Sequence, residues 1–375
     1  MYDCIVVGAG PAGASTAYHL ARQGYSVLIL EKAVLPRYKP CSGAVSPGIA
    51  TYFAFDFTPV IDCERRQVRY TWKLGDPVEA TLTTVEPIWL VRRDRFDHFL
   101  VQQAQAEGAD LKDDVTVIGI EFKGDRWRVS STIGSFEAAY LVGADGAHGP
   151  MASWLGLASV PLRTAQLWDC STANPLPINS PLGFEFGLVK QGCLWSFPRQ
   201  QGYSVGAVSF LDQTIADYQV NLRHYIEALN LPYDQGQVYT HALKLWNGHC
   251  CLHTHRALLV GEAAAIVDPL SAEGIRPSIV SGVHAANAIN AALSGKVEDL
   301  GSYTTTMQTE WGNDIQWAKR IAGLFFRVPG IGYRVGIKRP TATQRLGQLL
   351  TGEVKYADIA NRVMKRMSGG LLSGW

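Results

Sequence analysis

The sequence predicts an α/β fold: a parallel sheet with packed helices, an inserted antiparallel sheet, and a helical C-terminal region. Three observations support this prediction. Two apolar runs flank a glycine-rich turn and a helix-like stretch near the N-terminus, strand-like runs separated by Pro and Gly follow residue 161, and helical patterns follow residue 301. We expect three units: residues 1–160 with 249–300, residues 161–248 with part of 60–90, and residues 301–375.

The first 32 residues have the order of a dinucleotide site. The apolar run Cys4–Val7 is followed by Gly-Ala-Gly-Pro-Ala-Gly at 8–13, a helix-like stretch, and a second apolar run, Val27–Leu30. The three glycines permit a tight turn, a close approach to a pyrophosphate, and close packing of the helix on the sheet. Glu31 follows Gly13 by 18 residues, where its carboxylate could accept ribose hydroxyls and would repel a 2′-phosphate. The expected ligand is FAD or NAD rather than NADP.

Composition argues against several other functions. A net charge of +1 and 18% charged residues give no broad field for a nucleic-acid partner. No apolar run is long enough for a transmembrane helix, and the first strand begins next to Met1, which predicts no signal peptide and a cytoplasmic protein. Seven cysteines, an odd number, indicate reduced thiols. The segment 250–255 contains two Cys and two His without a defined ligand geometry, so we expect no metal.

Periodicity places further elements before residue 161. Trp89–Arg93 predicts a short strand, and the spacing of apolar residues predicts a helix over 94–105 with Phe96 and Leu100 on one face. Short strands are expected at 115–122, 127–131 and 136–139, followed by a buried strand from Tyr140 that ends in the turn Asp145-Gly146.

The inserted segment predicts strands at 183–189, 193–197 and 203–210 and a helix at 218–229. An antiparallel sheet here would be a natural floor for a substrate cavity. The run Ala257–Gly261 is again fully apolar, and a long helix is expected over 275–293. Its N-terminus, beside a Gly-containing turn, predicts an anion or flavin-carbonyl site.

Four motifs in this order carry a family resemblance: the N-terminal glycine motif, Arg-x-x-Phe-Asp at 93–97, Gly-Ala-Asp-Gly at 143–146, and Gly-Glu-Ala-Ala from 261 with Asp-Pro at 268–269. The chain resembles the FAD-dependent group with the p-hydroxybenzoate hydroxylase fold. Residues 40–44, 194–198, 268–275 and 350–356 are similar to signatures of its geranylgeranyl reductase family. The resemblance implies a Rossmann-type FAD-binding domain built from discontinuous segments, an inserted antiparallel β-sheet substrate domain and a C-terminal helical region.

The resemblance also implies residues that would bind FAD. They are Gly8, Gly10, Pro11, Ala12, Gly13, Ala14, Glu31, Lys32, Cys41, Ser42, Gly43, Ala44, Arg93, Val117, Asp145, Glu262, Gly274 and Ile275. Glu262 stands where the family usually has Asp, and Ser42, Ala44 and Ala272 stand where glycine is common. These departures are compatible with a paralogue that acts on another isoprenoid or on a quinone-linked substrate.

The family transfers hydride from flavin N5 to a carbon–carbon double bond of a prenyl chain, and a proton is added at the neighbouring carbon. Cys41 is the first candidate for a reactive group near the flavin, with Tyr38 and Glu273 as further proton-donor candidates. Trp195 and Phe197 are expected in the substrate cavity. No second glycine motif follows a strand, so the electron donor, NADPH or ferredoxin, stays open.

Two other functions stay open. One is an FAD monooxygenase that hydroxylates an aromatic or quinone-like substrate, and the other is a non-catalytic flavin- or isoprenoid-binding protein. The expected partners are a prenyl-chain molecule or lipid, an electron-transfer protein and, through the basic amphipathic segment 317–338, a membrane surface. Peripheral membrane attachment is therefore an alternative to a purely cytoplasmic location.

Overall fold

The computed structural model describes residues 1–158, 160–211, 218–248 and 250–362, so the last part of the predicted region 301–375 lies outside the described residues. The strands are β1 Tyr2–Val7, β2 Val27–Leu30, β3 Ala44–Val45, β4 Ile61–Arg65, β5 Gln67–Trp72, β6 Gly75–Thr81, β7 Ile88–Val91, β8 Asp110–Lys112, β9 Val117–Lys123, β10 Arg126–Ser131, β11 Gly134–Gly143, β12 Arg163–Cys170, β13 Leu182–Phe186, β14 Gly192–Arg199, β15 Gly202–Ser209, β16 Gln237–Leu243, β17 His253–Thr254 and β18 Ala257–Leu259. The helices are α1 Pro11–Ala21, α2 Arg93–Ala106, α3 Met151–Trp154, α4 Gln219–Ala228, α5 Ile275–Leu293, α6 Gly301–Thr306, α7 Asn313–Arg327, α8 Pro329–Gly332 and α9 Pro340–Thr351.

A parallel sheet forms the first layer, as predicted. Its order is β18-β11-β1-β2-β8, with β17 antiparallel at one edge. Helices α1 and α5 pack together beside it, and the Ser15 hydroxyl donates to the Ile279 carbonyl at 3.1 Å. Because the strands are parallel, their carboxyl ends and the loops that follow lie along one edge.

Strand β11 corrects the predicted division between 136–139 and a separate strand from Tyr140. Its first half pairs with β10, and its second half pairs with β1 from Ala138 onward. One continuous strand therefore serves two ladders. The strand ends at Gly143, before the Asp145-Gly146 turn.

An antiparallel sheet forms the second layer, in the order β16-β12-β15-β14-β13-β5-β6. Its β13 and β5 strands pair in parallel, and the other neighbours are antiparallel. Strands β5 and β6 come from the chain before the predicted insertion. The run around Trp89 forms β7, which pairs with β3 and β4 in a small separate sheet.

The C-terminal helices cover the open face of the antiparallel sheet. Phe326 of α7 stacks on Phe210 with ring centroids 4.6 Å apart, and the Tyr333 hydroxyl donates to the Asp76 carbonyl at 2.6 Å. Gly347 of α9 packs against the Leu82 side chain. In the described ranges, no helix combines the length and apolarity needed to cross a bilayer. The predicted α/β fold, with a parallel sheet, an antiparallel sheet and C-terminal helices, is confirmed.

Candidate functional site

A cavity of about 1180 Å³ lies between the carboxyl edge of the parallel sheet, the antiparallel sheet and the C-terminal helices. Gly10, Ala144 and Glu262 line its first end, and aromatic side chains of β13 and β14 line its middle. Residues of α7 to α9 form the far wall. The site is therefore polar where the parallel strands end and apolar beyond.

The glycine motif has the geometry that a pyrophosphate requires. Gly8 has φ of +111°, and a Cβ on Gly13 would lie 2.0 Å from the Gly8 carbonyl oxygen. A Cβ on Gly10 would project into open space, with Arg37 Nη2 as its nearest neighbour at 4.0 Å. No side chain caps the N-terminus of α1. Its first-turn amides and dipole are thus open to an anion, and these residues fit the pyrophosphate of FAD.

The Glu31 carboxylate orders the loop next to that motif. It accepts the Ala9 amide at 2.8 Å and the Ala33 amide at 3.1 Å, and Arg37 lies 3.5 Å away. Each carboxylate oxygen has a further acceptor site. Glu31 is buried, whereas Lys32 is exposed.

A buried ion pair holds α2 against this loop. Both Asp97 oxygens accept from Arg93 at 2.7 Å, and Arg37 also donates to Asp97 at 3.0 Å. Burial would raise the pKa of Asp97, but the charges and hydrogen bonds of the two arginines lower it overall. Arg93 and Cys41 both line the cavity. Arg93 therefore links the ion pair to the cavity wall.

Glu262 is the counter-ion of two cationic or ionisable groups in the cavity. Its Oε2 lies 3.6 Å from Lys39 Nζ and 3.7 Å from His241 Nε2, and its Oε1 accepts the Lys244 amide at 3.4 Å. Burial raises the pKa of Glu262, but the His241 hydrogen bond and the Lys39 charge outweigh it and bring the pKa to about 2. Burial, aided by Arg93, lowers the pKa of Lys39 despite Glu262. A carboxylate and a partly buried ammonium thus lie side by side.

The loop 41–44 passes between the two sheets. The Cys41 carbonyl accepts Arg199 at 3.1 Å and Ser204 at 3.4 Å, and the Cys41 Sγ accepts the Gly43 amide at 3.4 Å. Gly43 has φ of +80°, and a Cβ there would lie 2.2 Å from the Val91 carbonyl oxygen. The loop is held from both sides, with Cys41, Ser42 and Ala44 on the cavity wall.

The turn before α5 is tied to the C-terminal segment. The Tyr356 hydroxyl donates to Asp268 at 2.6 Å, and Arg276 donates to Glu273 at 2.8 Å and 3.1 Å. Burial raises the pKa of Asp268 and of Glu273. No side chain caps α5 at Gly274, so its first amides face the cavity beside Ile275 and are open to a carbonyl or an anion.

Aromatic side chains of the antiparallel sheet line the apolar part. Tyr70, Phe184 and Trp195 lie in one register row, and the Trp195 ring lies over Gly206, where a Cβ would clash with it. Tyr70 and Phe184 stack with centroids 5.3 Å apart. Among the residues that the structure describes, the Tyr70 hydroxyl and the Trp195 indole nitrogen have no hydrogen-bond partner and are buried. The middle of the cavity is therefore lined mainly by aromatic rings.

The structure separates the predicted site residues into three groups. Those on the cavity wall are Gly10, Pro11, Ala12, Cys41, Ser42, Ala44, Arg93, Glu262, Gly274, Ile275, Trp195, Phe197 and Glu273. Gly8, Gly13, Ala14, Gly43 and Glu31 lie behind them and shape the loops. Val117 begins β9, away from the wall, and Asp145 accepts the Met151 amide at 2.8 Å at the start of α3. Tyr38 is 45% exposed and donates to Asp169 at 2.6 Å, outside the lining.

Lys39, Tyr70, His241 and Tyr356 are among the cavity residues that had no predicted role in the site. Lys39 stands two residues before Cys41, so its place could have been read from that motif. The other three reach the cavity only through strand register or through the docking of the C-terminal segment, which no local pattern reveals.

Comparisons with known proteins agree with this geometry. Residues 3–74 match the family model of FAD dependent oxidoreductases, DAO, so of the two expected ligands FAD is supported. A geranylgeranyl diphosphate reductase of Rhodobacter capsulatus is 28% identical over 317 residues, 80% of this chain and 78% of that one. A digeranylgeranylglycerophospholipid reductase of Picrophilus torridus is 26% identical over 79% of both. A tryptophan 2-halogenase of Chondromyces crocatus is 25% identical over 99% of this chain and 75% of its own.

Solved structures share the fold. A geranylgeranyl bacteriochlorophyll reductase-like protein of Thermoplasma acidophilum has a TM-score of 0.74 at 22% identity, covering 86% of this chain and 87% of that one. A flavin-dependent brominase has a TM-score of 0.73 at 18% identity, covering 98% and 99%. The predicted resemblance to geranylgeranyl reductases is confirmed, and halogenases share the same architecture.

Proposed function

Because the chain is an FAD-dependent oxidoreductase that resembles the geranylgeranyl reductases, we propose that it reduces carbon–carbon double bonds of an isoprenoid chain. One observation carries this proposal. A single cavity of about 1180 Å³ joins the glycine motif and the α5 N-terminus to an apolar, aromatic-lined space below the C-terminal helices. A long hydrocarbon chain can lie there beside the expected position of the flavin.

The chain's own residues would hold the cofactor at two helix ends. The α1 amides and Gly10 suit the pyrophosphate, and the α5 amides at Gly274 and Ile275 suit the carbonyl edge of the ring. When bound and reduced, FAD supplies hydride. The charges of Glu262 and Lys39 balance each other beside the expected position of the flavin, since their charged groups lie 3.6 Å apart.

The apolar wall would position the substrate and exclude water. Phe184, Trp195 and Phe197 present rings to the cavity, and the α7–α9 helices close it from above. An isolated double bond is a poor hydride acceptor, so a dry site and a placed proton are both required.

Cys41 is the proton donor that this geometry supports best. Its side chain is on the cavity wall, as is that of Arg93, and the loop that carries it is held by Arg199, which donates to the Cys41 carbonyl at 3.1 Å. Glu273 is less suited, because both of its oxygens already accept hydrogen bonds from Arg276. Glu273 would instead position α5.

The test uses the holoprotein, reduced anaerobically with dithionite and mixed with geranylgeranyl diphosphate, with products read by mass spectrometry. The proposal predicts mass gains of about 2 Da per double bond without oxygen. Cys41→Ser should slow product formation strongly while FAD stays bound. Cys251→Ser is the matched control, since that thiol is exposed and lies outside the cavity lining. No mass gain from wild-type protein would contradict the proposal.

The same holoprotein preparation identifies the electron donor. NADPH and reduced ferredoxin are offered separately to the oxidised holoprotein, and loss of the visible flavin absorbance shows which one reduces it. A flavin that neither donor reduces would support the non-catalytic alternative.

A second candidate function is an oxygen-using flavoenzyme that hydroxylates or halogenates an aromatic or quinone-like substrate. A relative named as a tryptophan 2-halogenase, 25% identical over 99% of this chain, and the aromatic lining at Phe184 and Trp195 favour it. Flavin reoxidation only on admission of oxygen, with an added oxygen or halogen atom in the product, would select this candidate.

A further inference from the structure

Four apolar side chains are exposed around the mouth of the cavity. The exposed fractions are 73% for Leu324, 44% for Val328, 62% for Ile331 and 54% for Val335. All four also line the cavity, so they stand where it opens between α7, α8 and the following turn. We call these four residues the apolar rim. A contiguous exposed apolar surface of this kind marks an interaction site.

Positive charge accompanies the rim. Residues 315–352 contain seven Lys and Arg side chains and neither Asp nor Glu, in a chain whose net charge is +1. Arg320 and Arg339 line the cavity, and Arg327 and Arg334 are exposed beside it. Among the described residues, none of these four arginines forms a salt bridge, whereas Lys338 pairs with Asp76 at 2.7 Å. The surface around the mouth is thus predominantly basic.

We propose that the apolar rim and these arginines dock onto an anionic lipid bilayer. The rim would enter the acyl–headgroup boundary while the arginines bind anionic headgroups. Continuity with the cavity favours a bilayer over a protein partner, since an acyl or prenyl chain could then slide from the membrane into the cavity without crossing water. This inference rests on the proposed isoprenoid substrate.

Flotation of the holoprotein with vesicles tests the docking and needs no turnover. One vesicle is phosphatidylcholine alone, and the other contains phosphatidylglycerol as well. We expect binding to the anionic vesicle at least tenfold above the neutral one, and a marked loss when salt is raised. If the protein binds anionic vesicles but reduces no double bond, the proposed isoprenoid substrate is wrong. If it reduces double bonds but binds no vesicles, the proposed membrane docking is wrong.

Paired variants locate the surface. Leu324→Asp with Ile331→Asp, and Arg327→Glu with Arg334→Glu, should each reduce anionic-vesicle binding at least tenfold. The matched controls are Ile178→Asp with Val220→Asp, both apolar and about as exposed, and Lys123→Glu with Arg128→Glu on β9 and β10, both exposed. Unchanged unfolding midpoints show that all variants fold.

Three results would overturn the proposal. They are absence of vesicle binding, equal loss in the control variants, and a concentration-dependent dimer that Leu324→Asp with Ile331→Asp abolishes, which would assign the rim to a second copy of this chain.

Discussion

The Glu262 carboxylate, which is largely buried, lies 3.6 Å from the Lys39 ammonium in the cavity. Loss of the negative charge on Glu262 would leave Lys39 without this ion-pair partner. Breaking a largely buried pair on one side is costly, so Glu262→Gln should lower the free energy of unfolding by about 2 kcal/mol and weaken FAD retention on gel filtration. Glu79→Gln is the control, because its partner Arg69 is 50% exposed. Equal stability of the two variants would show that the Glu262–Lys39 ion pair does not stabilise the fold.

Ala272 is a departure from glycine that the structure makes costly. Its φ is +58°, in the left-handed region where a Cβ is disfavoured. Ala272→Gly should raise the free energy of unfolding by about 0.5 kcal/mol, since relief of strain exceeds the added freedom of the unfolded chain. The same change at Ala106, in helix α2, should instead destabilise. Urea unfolding measures both, and a loss of stability in Ala272→Gly would contradict the strain.

His19 makes the stability of the fold sensitive to acid. Burial, with a smaller contribution from Arg22, lowers the pKa of His19 from 6.5 to about 4. Between these pH values the unfolded chain binds a proton that the folded chain does not, so stability falls as the pH falls. Between about pH 7 and about pH 5 the partly exposed ring should account for a loss of about 1 kcal/mol, which His19→Gln removes. An unchanged pH slope in that variant would contradict this origin.

At the scale of elements, close contact between α1 and α5 sets the distance between the two helix ends that would hold FAD. A Cβ on Gly282 would lie 2.6 Å from the Ala12 carbonyl oxygen, whereas a Cβ on Gly323 in α7 meets nothing within 4 Å. Gly282→Ala should therefore cost about 2 kcal/mol, and Gly323→Ala should add about 0.5 kcal/mol through helix propensity. Thermal unfolding separates the two, and equal shifts would refute the packing argument.

Local pattern predicted most elements well. Helix α5 was expected over 275–293 and spans Ile275–Leu293, and β14 and β15 lie within two residues of their predicted bounds. These segments have strong apolar periodicity or clear turn residues at their ends. Part of 60–90 was expected to contribute to the inserted unit, and β5 and β6 lie in the antiparallel sheet. The pairing of β5 with β13 could not be predicted, because the two strands are far apart in the chain and register carries no local signal.

The parts of the site that depend on local backbone geometry were also predicted from the sequence. Glycine turns and helix N-termini can be predicted from the sequence, since each requires a particular backbone geometry. The hydrogen bond between Tyr356 and Asp268 joins residues 88 positions apart, and the place of Tyr70 in the cavity depends on sheet register. Such contacts follow from the tertiary fold alone.

At the scale of the whole molecule, the cavity exists only where three units meet. The parallel sheet contributes its carboxyl edge, the antiparallel sheet contributes an aromatic wall, and α7 to α9 form the cover and the basic mouth. Hydride chemistry and chain binding would thus be assigned to different units, joined by the loop 41–44.

The most direct measurement follows flavin reoxidation by a prenyl substrate under strict exclusion of oxygen, in wild-type protein and in Ala165→Phe. Ala165 is 2% exposed and lines the cavity, so the larger ring should block the chain while leaving the glycine motif free to bind FAD. The account predicts substrate-dependent reoxidation in the wild-type protein and at least a tenfold slower rate in the variant. Absence of substrate-dependent reoxidation in the wild-type protein, or equal rates in both proteins, would contradict it.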